Sequence, residues 1–258
     1  MMTTPDGPPR SLRDWLSPGR WMRFFEARLD RGSYLGLHLT LGLMLIALGV
    51  WLFGTLLEGV LDNAALVRWD MSAAASIHST TTPFGIRVFK AITNIGSPVA
   101  MVAIAVVGAL TMFVQRHRLL AYTWAAAAGG GAILDAVLKT SVHRSRPQYA
   151  AAFLHGSSYS FPSGHAMGSI IGYGFLAYAI ALSAKRVGWH RRLIFGLAAL
   201  LTLLIGISRV YLGVHYPSDV VGGWAAGVAW LAVCVTGYQV VSGRSTLRDS
   251  LKPSSVNP

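Results

Sequence analysis

The chain has 258 residues, of which 53% are hydrophobic and only 12% charged, against about a quarter charged in an ordinary soluble domain. That balance excludes a soluble globular fold and points to a membrane protein. The net charge of +12 does not indicate nucleic acid, because no RNA- or DNA-binding motif is present and the basic residues lie between apolar runs. Cys234 is the single cysteine, so no internal disulfide forms.

Residues 1–33, rich in Arg and Pro, are expected to form a basic cytoplasmic tail with a short interfacial helix around Trp15 to Leu29. The apolar run that follows is too long for a signal-peptide core and lacks a small-residue cleavage site, so it is expected to be retained. Runs long enough to span a bilayer recur at 37–57, 97–115, 119–139, 165–184, 192–209 and 217–241. The expected fold is therefore all-α: an integral membrane six-transmembrane-helix bundle over 34–242, with a cytoplasmic C-terminal tail over 243–258. Between Asp62 and Ile95 the chain is only partly apolar. Phe84, Val88, Phe89, Ile92 and Ile95 fall at helical spacing, which predicts a helix lying at the membrane interface.

With the N-terminus inside, 15 of the 22 Lys and Arg residues fall on the inner side. The exceptions are Arg68, Arg87, Lys90, Lys139, Arg144, Arg146 and Arg209. Small residues fill the third span from Ala125 to Ala132, and Gly223 and Gly227 stand four apart in the sixth, a pattern for close helix packing inside the bundle. The Gly run has no GxxxxGK arrangement and is not a phosphate loop.

Chemistry-bearing residues concentrate in three clusters, Lys139 to Pro147, Pro162 to His165 and Ser208 to Asp219. Alternation of six spans brings all three to one face, the outer one. Lys139 and Arg209 close their helices, where a cation complements the negative dipole end and snorkels to the interface. Arg146, just before Pro147, has the forked guanidinium suited to phosphate oxygens. Three such cations around one point neutralise a phosphoryl group.

Ser163 reads as an ordinary N-cap. The same helix start aims backbone N–H groups at an anion, with Gly164 allowing close approach and His165 placed beside it. Asp219 is a standard acidic residue in a first turn, yet it stands four residues after His215, so it can hold one imidazole nitrogen and leave the other as a nucleophile or base. Asp135, one turn before Lys139, is expected to pair with it or with a polar group on another helix. His143, Arg144 and His155 share the outer loop as supporting or substrate-touching candidates. No HExxH motif or Cys/His cluster exists, so neither metal nor cofactor is expected.

In order, KxxxxxxRP (Lys139, Arg146, Pro147), PSGH (Pro162 to His165) and SRxxxxxHxxxD (Ser208, Arg209, His215, Asp219) resemble the three-part signature of the type-2 phosphatidic acid phosphatase superfamily, which vanadium haloperoxidases and bacterial acid phosphatases share. The resemblance covers about residues 90–240, and no position of the signature is missing. It implies a metal-independent two-step hydrolysis. His215 would form a phosphohistidine with Asp219 orienting it, and His165 would protonate the leaving oxygen and then assist water. Lys139, Arg146, Arg209, Ser163 and the Gly164 N–H would hold the non-bridging oxygens. The implied partner is a membrane lipid phosphate in the bilayer, such as undecaprenyl diphosphate, phosphatidylglycerol phosphate or phosphatidic acid. The implied location is the inner (plasma) membrane with the site facing the periplasm or exterior. Competing readings are a phosphotransferase of the same fold, a vanadate-dependent peroxidase, against which six spans argue, and an inactive transporter or scaffold.

Overall fold

The computed structural model describes residues 36–149, 159–183 and 188–250. The N-terminal tail, its expected Trp15 to Leu29 helix and His155 lie outside them. Among the described residues there are eight helices and no strand: α1 (Gly36–Asp62), α2 (Ala64–Ser79), α3 (Pro83–Ile95), α4 (Pro98–Val114), α5 (Arg118–Val142), α6 (Gly164–Ser183), α7 (Gly188–Tyr211) and α8 (Pro217–Ser250).

Local chemistry sets several of these boundaries. Asn63 accepts from the N–H groups of Ala65 and Leu66 and opens α2. Thr82 and Ser97 cap α3 and α4, each with proline at the start of the helix, where its missing N–H costs nothing.

Among the described residues, five segments are long and apolar enough to cross a membrane: His38–Asp62, Pro83–Val114, Gly164–Leu182, Gly188–Tyr211 and Pro217–Gly243. The remaining expected span, 119–139, falls in α5, whose 25 residues extend about 37 Å at 1.5 Å per residue. Its Ala- and Gly-rich middle and Asp135 make it less hydrophobic than the other five. Helix α8 continues to Ser250, past the expected boundary at 242.

The 62–95 region differs from a single interfacial helix. It forms α2 and α3, and α3 runs on into α4 within one apolar segment. The helical spacing is real, but Phe84, Val88 and Ile95 point outward, at 69%, 39% and 43% exposure, while Thr93 is buried. Ile86 and Phe89 pack on Leu212 and Val214, just beyond α7. Arg87, Lys90 and Asn94 are exposed as well, so α3 turns apolar and polar side chains outward together while Ile86, Phe89 and Thr93 face the bundle.

Hydrocarbon solvates leucine as well as protein does, so close packing has to hold the helices together. Helix α8 makes its widest contacts with α1 and α6. A Cβ on Gly49 of α1 would lie 2.8 Å from the Ala225 carbonyl oxygen, and one on Gly223 of α8 would lie 2.5 Å from that of Ser163. Backbone meets backbone at both places, and Gly227 repeats the approach one turn on, 3.0 Å from the Met167 carbonyl. Trp124 of α5 stacks on Phe175 of α6 at 5.2 Å between ring centroids, in a core that includes Leu120, Ala127, Met167 and Ile171.

The Ala125 to Ala132 run packs inward on one side only. Ala127 is fully buried and accepts a 2.9 Å hydrogen bond from Nε1 of Trp230, and that indole covers Gly130. Gly129 on the other side has no atom within 4 Å of where a Cβ would stand.

Candidate active site

Two helix ends and two helix starts build the site. Helix α5 closes on His143, which takes a left-handed conformation (φ 54°) and donates its N–H to Lys139, so the chain turns sharply after the last basic residue of α5. Ser160 returns the chain to the bundle by donating its N–H to the Arg144 carbonyl at 2.8 Å. Ser163 then donates its N–H to the Asp219 carbonyl at 2.9 Å, fixing the start of α6 on α8. Helix α7 ends in a left-handed turn at Gly213 (φ 65°), and the Arg209 carbonyl accepts from both Val214 and His215. This turn folds His215 back over Arg209 and starts α8 immediately beyond it.

His215 is 2% exposed. Its Nδ1 lies 3.4 Å from Oδ2 of Asp219, and its Nε2 lies 3.1 Å from NH1 of Arg146. A guanidinium only donates, so Nε2 is the acceptor and the ring proton sits on Nδ1, toward the carboxylate. Burial pushes the imidazole down to about 4; Asp219 opposes that shift, and Arg146 and Arg209 add to it. The ring is therefore neutral at pH 7. Arg146 also donates to the Val214 carbonyl at 2.8 Å, and burial lowers its guanidinium below the ordinary value.

Asp219 is fully buried and serves two structures at once. Its Oδ2 accepts from the Tyr216 N–H at 2.8 Å and from the Ser160 hydroxyl, which anchors the start of α8. The same oxygen faces the imidazole, while Oδ1 takes a 2.5 Å hydrogen bond from Arg144. Capping and imidazole orientation thus fall to one carboxylate.

Lys139, Arg146, Gly164, His165, Arg209 and His215 line one cavity of about 590 Å³, together with Asp135. Lys139 pairs with Asp135 at 2.7 Å, one of the two arrangements expected for that carboxylate. Arg209, 5% exposed, donates from NH1 to the Thr93 hydroxyl at 2.8 Å, while its buried Nε has no partner. Gly164 is tightly placed: a Cβ there would lie 2.7 Å from Nζ of Lys139. Ser163 is fully buried behind the cavity lining, with its hydroxyl unpaired. From the polar end the cavity runs between α4, α5 and α6 along Met101, Ala105, Ala128, Gly129, Gly168 and Gly172.

Besides Ser163 and Asp219, two further sequence candidates, His143 and Arg144, stand outside the cavity lining. His143 is exposed and meets the Tyr159 ring edge-on at 4.4 Å. Arg144 is turned away, with both prongs on carboxylates: NH1 on Asp219 and NH2 on Asp70 at 2.7 Å. These carboxylates outweigh burial and raise its guanidinium above the ordinary value. Arg144 thus supports Asp219, and its charge is already compensated.

Sequence reasoning did not single out Asp70, Ser160, Ser218 or Thr93. Asp70 alone carried a signal, as a lone carboxylate inside the largely apolar stretch Ala64 to Ile77. The hydroxyl residues carried none, because Ser and Thr are ordinary both in such helices (Thr93, Ser218) and in the loops between them (Ser160).

The fold and cavity define a helical membrane protein with a cationic, histidine-bearing pocket, and comparisons with known proteins place it more narrowly. A profile of the PAP2 superfamily matches residues 118–242. Phosphatidylglycerophosphatase B of Bacillus subtilis is 30% identical over 179 residues, covering 69% of this chain and 88% of that protein. An undecaprenyl-diphosphatase of Sulfolobus acidocaldarius is 38% identical over 76 residues, 30% of this chain and 32% of that one. The crystal structure of a transmembrane PAP2 type phosphatidylglycerolphosphate phosphatase from Bacillus subtilis superposes with a TM-score of 0.67 at 27% identity, covering 80% of this chain and 98% of that one. The chain belongs to the PAP2 superfamily, and its enzyme class is that of a phosphoric ester hydrolase.

Proposed function

We propose that this enzyme hydrolyses membrane-anchored phosphate monoesters or diphosphates through a phosphohistidine on His215, without a metal ion. The observation that carries the reading is the continuity of one cavity. Three cations and two histidines stand at one end, and small apolar side chains line the passage between α4, α5 and α6. A headgroup fits the first part and a lipid tail the second, where each buried methylene contributes about 0.8 kcal/mol.

In this mechanism the phosphate enters among Lys139, Arg146 and Arg209, whose charges offset those of the non-bridging oxygens and of the five-coordinate transition state. The N–H groups in the first turn of α6 have no acceptor within their own helix and face the same anion. Arg146 transfers its hydrogen bond from His215 to the phosphate and frees Nε2. The Nε2 lone pair forms a bond to phosphorus as the bond to the leaving oxygen breaks, and His165 gives that oxygen its proton. Asp219 stabilises the positive imidazole through Nδ1–H. Water, deprotonated by His165, then attacks phosphorus, releasing inorganic phosphate and restoring His215.

The relatives named phosphatidylglycerophosphatase and undecaprenyl-diphosphatase make phosphatidylglycerol phosphate and undecaprenyl diphosphate the first substrates to try, with phosphatidic acid as a third. The six-span bundle in the inner membrane, with its site toward the periplasm or exterior, belongs to the same proposal and is supported by the distribution of Lys and Arg. The test is phosphate release from these three lipids and from glucose 6-phosphate in one detergent, with excess EDTA and with orthovanadate. Lipid turnover that survives EDTA and is blocked by orthovanadate is expected. Preference for the sugar phosphate, or a strict requirement for added metal, overturns the proposal.

A further inference from the structure

The structure assigns a positioning role to Asp70: through Arg144 it holds Asp219, and thereby His215, in the attacking arrangement. This inference rests on the phosphohistidine reading above. Asp70 lies on α2, outside all three sequence clusters, and is fully buried. Its Oδ2 accepts from NH2 of Arg144 at 2.7 Å and from the Ser218 hydroxyl, and its Oδ1 accepts from the Ser218 N–H at 3.1 Å. Arg144 in turn reaches the Ser218 hydroxyl at 2.8 Å and Asp219 at 2.5 Å, both from NH1. The ring of contacts is closed: Asp70 grips the guanidinium and also the residue next to Asp219 in the chain.

The arrangement answers an electrostatic problem. Arg144 touches Asp219 more closely than His215 does, 2.5 Å against 3.4 Å. Alone, a guanidinium this close would draw the carboxylate toward itself and oppose the positive charge that His215 acquires on phosphorylation. Asp70 engages the opposite prong and offsets that charge. It also sets the plane of the guanidinium, whose other face lies over the Tyr216 ring at 4.4 Å. Asp219 is then held by a fixed, compensated partner and keeps its second oxygen on the imidazole. Because Asp70 is absent from the cavity lining, its effect falls on the chemical step and not on substrate affinity.

The experiment measures kcat and KM of the full-length enzyme in detergent with phosphatidic acid and undecaprenyl diphosphate. Thermal melting and the rate of 32P-phosphoenzyme formation are followed in parallel. Asp70→Asn is expected to lower kcat by about tenfold to a hundredfold, with KM within about threefold, and to slow phosphoenzyme formation equally. In the Arg144→Gln background the same substitution should change kcat by no more than about twofold, because its route of action is already gone. If Asp70→Asn does not fold, Arg144→Lys replaces it. One ammonium cannot bridge both carboxylates, and kcat should fall by at least about tenfold. Wild-type kcat in either variant, a change confined to KM, or a full additional loss on top of Arg144→Gln overturns the assignment. A wild-type enzyme that turns over both lipids but traps no phosphoenzyme refutes the phosphohistidine reading instead, and the two failures are thereby told apart.

Discussion

NH1 of Arg146 lies 3.1 Å from Nε2 of His215, so a phosphate-binding candidate rests on the ring nitrogen that faces the cavity. Since arginine only donates, this contact holds the imidazole with its lone pair inward and its proton toward Asp219. In the proposed mechanism this contact masks the attacking nitrogen until an anion draws Arg146 away.

Removing the proposed nucleophile is the most direct check. His215→Ala should lower kcat by about ten-thousandfold or more, with a melting temperature showing that the protein stays folded. Arg146→Ala unmasks Nε2 but removes a cation from the phosphate site, so kcat/KM should fall by about a hundredfold or more. Near-normal turnover in the His215 variant rules out the covalent route.

The pH profile carries a second check. The folded imidazole is held down at about 4, against about 6.5 in an unfolded chain. His215 therefore stays unprotonated well below pH 6.5, and if it is the nucleophile proposed, kcat should not show an acid limb from this residue until pH approaches about 4. The same shift makes the unfolded state the one that binds the extra proton between those values. Stability should therefore decline as pH falls from about 6.5 toward 4, visible as a falling melting temperature that His215→Gln attenuates. A kcat limb near pH 6.5 that moves with His215 substitutions contradicts the assignment.

Gly129 offers a test of the passage between the helices. It lines the cavity, and nothing lies within 4 Å of its Cβ position. Gly129→Leu improves helix propensity by up to about 1 kcal/mol, so folding should not suffer, yet the side chain fills the space proposed for the lipid tail. KM for a long-chain lipid phosphate should rise at least about tenfold, while turnover of a tailless aryl phosphate stays within about twofold of wild type. Equal effects on both substrates would remove the tail from this passage.

Sidedness can be read with cysteines after Cys234 is replaced. Ser145, exposed in the loop that follows α5, should react with an impermeant thiol reagent in intact cells, with the outer membrane permeabilised where one exists, once changed to cysteine. Gln115, exposed at the opposite end between α4 and α5, should stay protected. The reverse pattern would invert the proposed orientation.

That this is a helical membrane protein follows from composition and run length alone, because apolar runs of spanning length leave the backbone no solvent and only helices or closed barrels satisfy it there. The sequence also made the family legible, since the Lys139 to Pro147, Pro162 to His165 and Ser208 to Asp219 clusters keep their spacings along the chain. What it left open were the relations that depend on which helix faces which. The partner of Arg144 is an example: the residue sits in the loop after α5, where a substrate contact was one possibility, and only the packing of α2 against the bundle puts Asp70 on its second prong. The Ala125 to Ala132 run is another, since periodicity could not tell that Ala127 and Gly130 meet Trp230 while Gly129 opens onto the cavity. The outward turn of Phe84, Val88 and Ile95 on α3 followed from the same cause. In lipid the usual rule that apolar faces point inward loses its force, and side-chain fit between helices, which no linear pattern records, decides the arrangement.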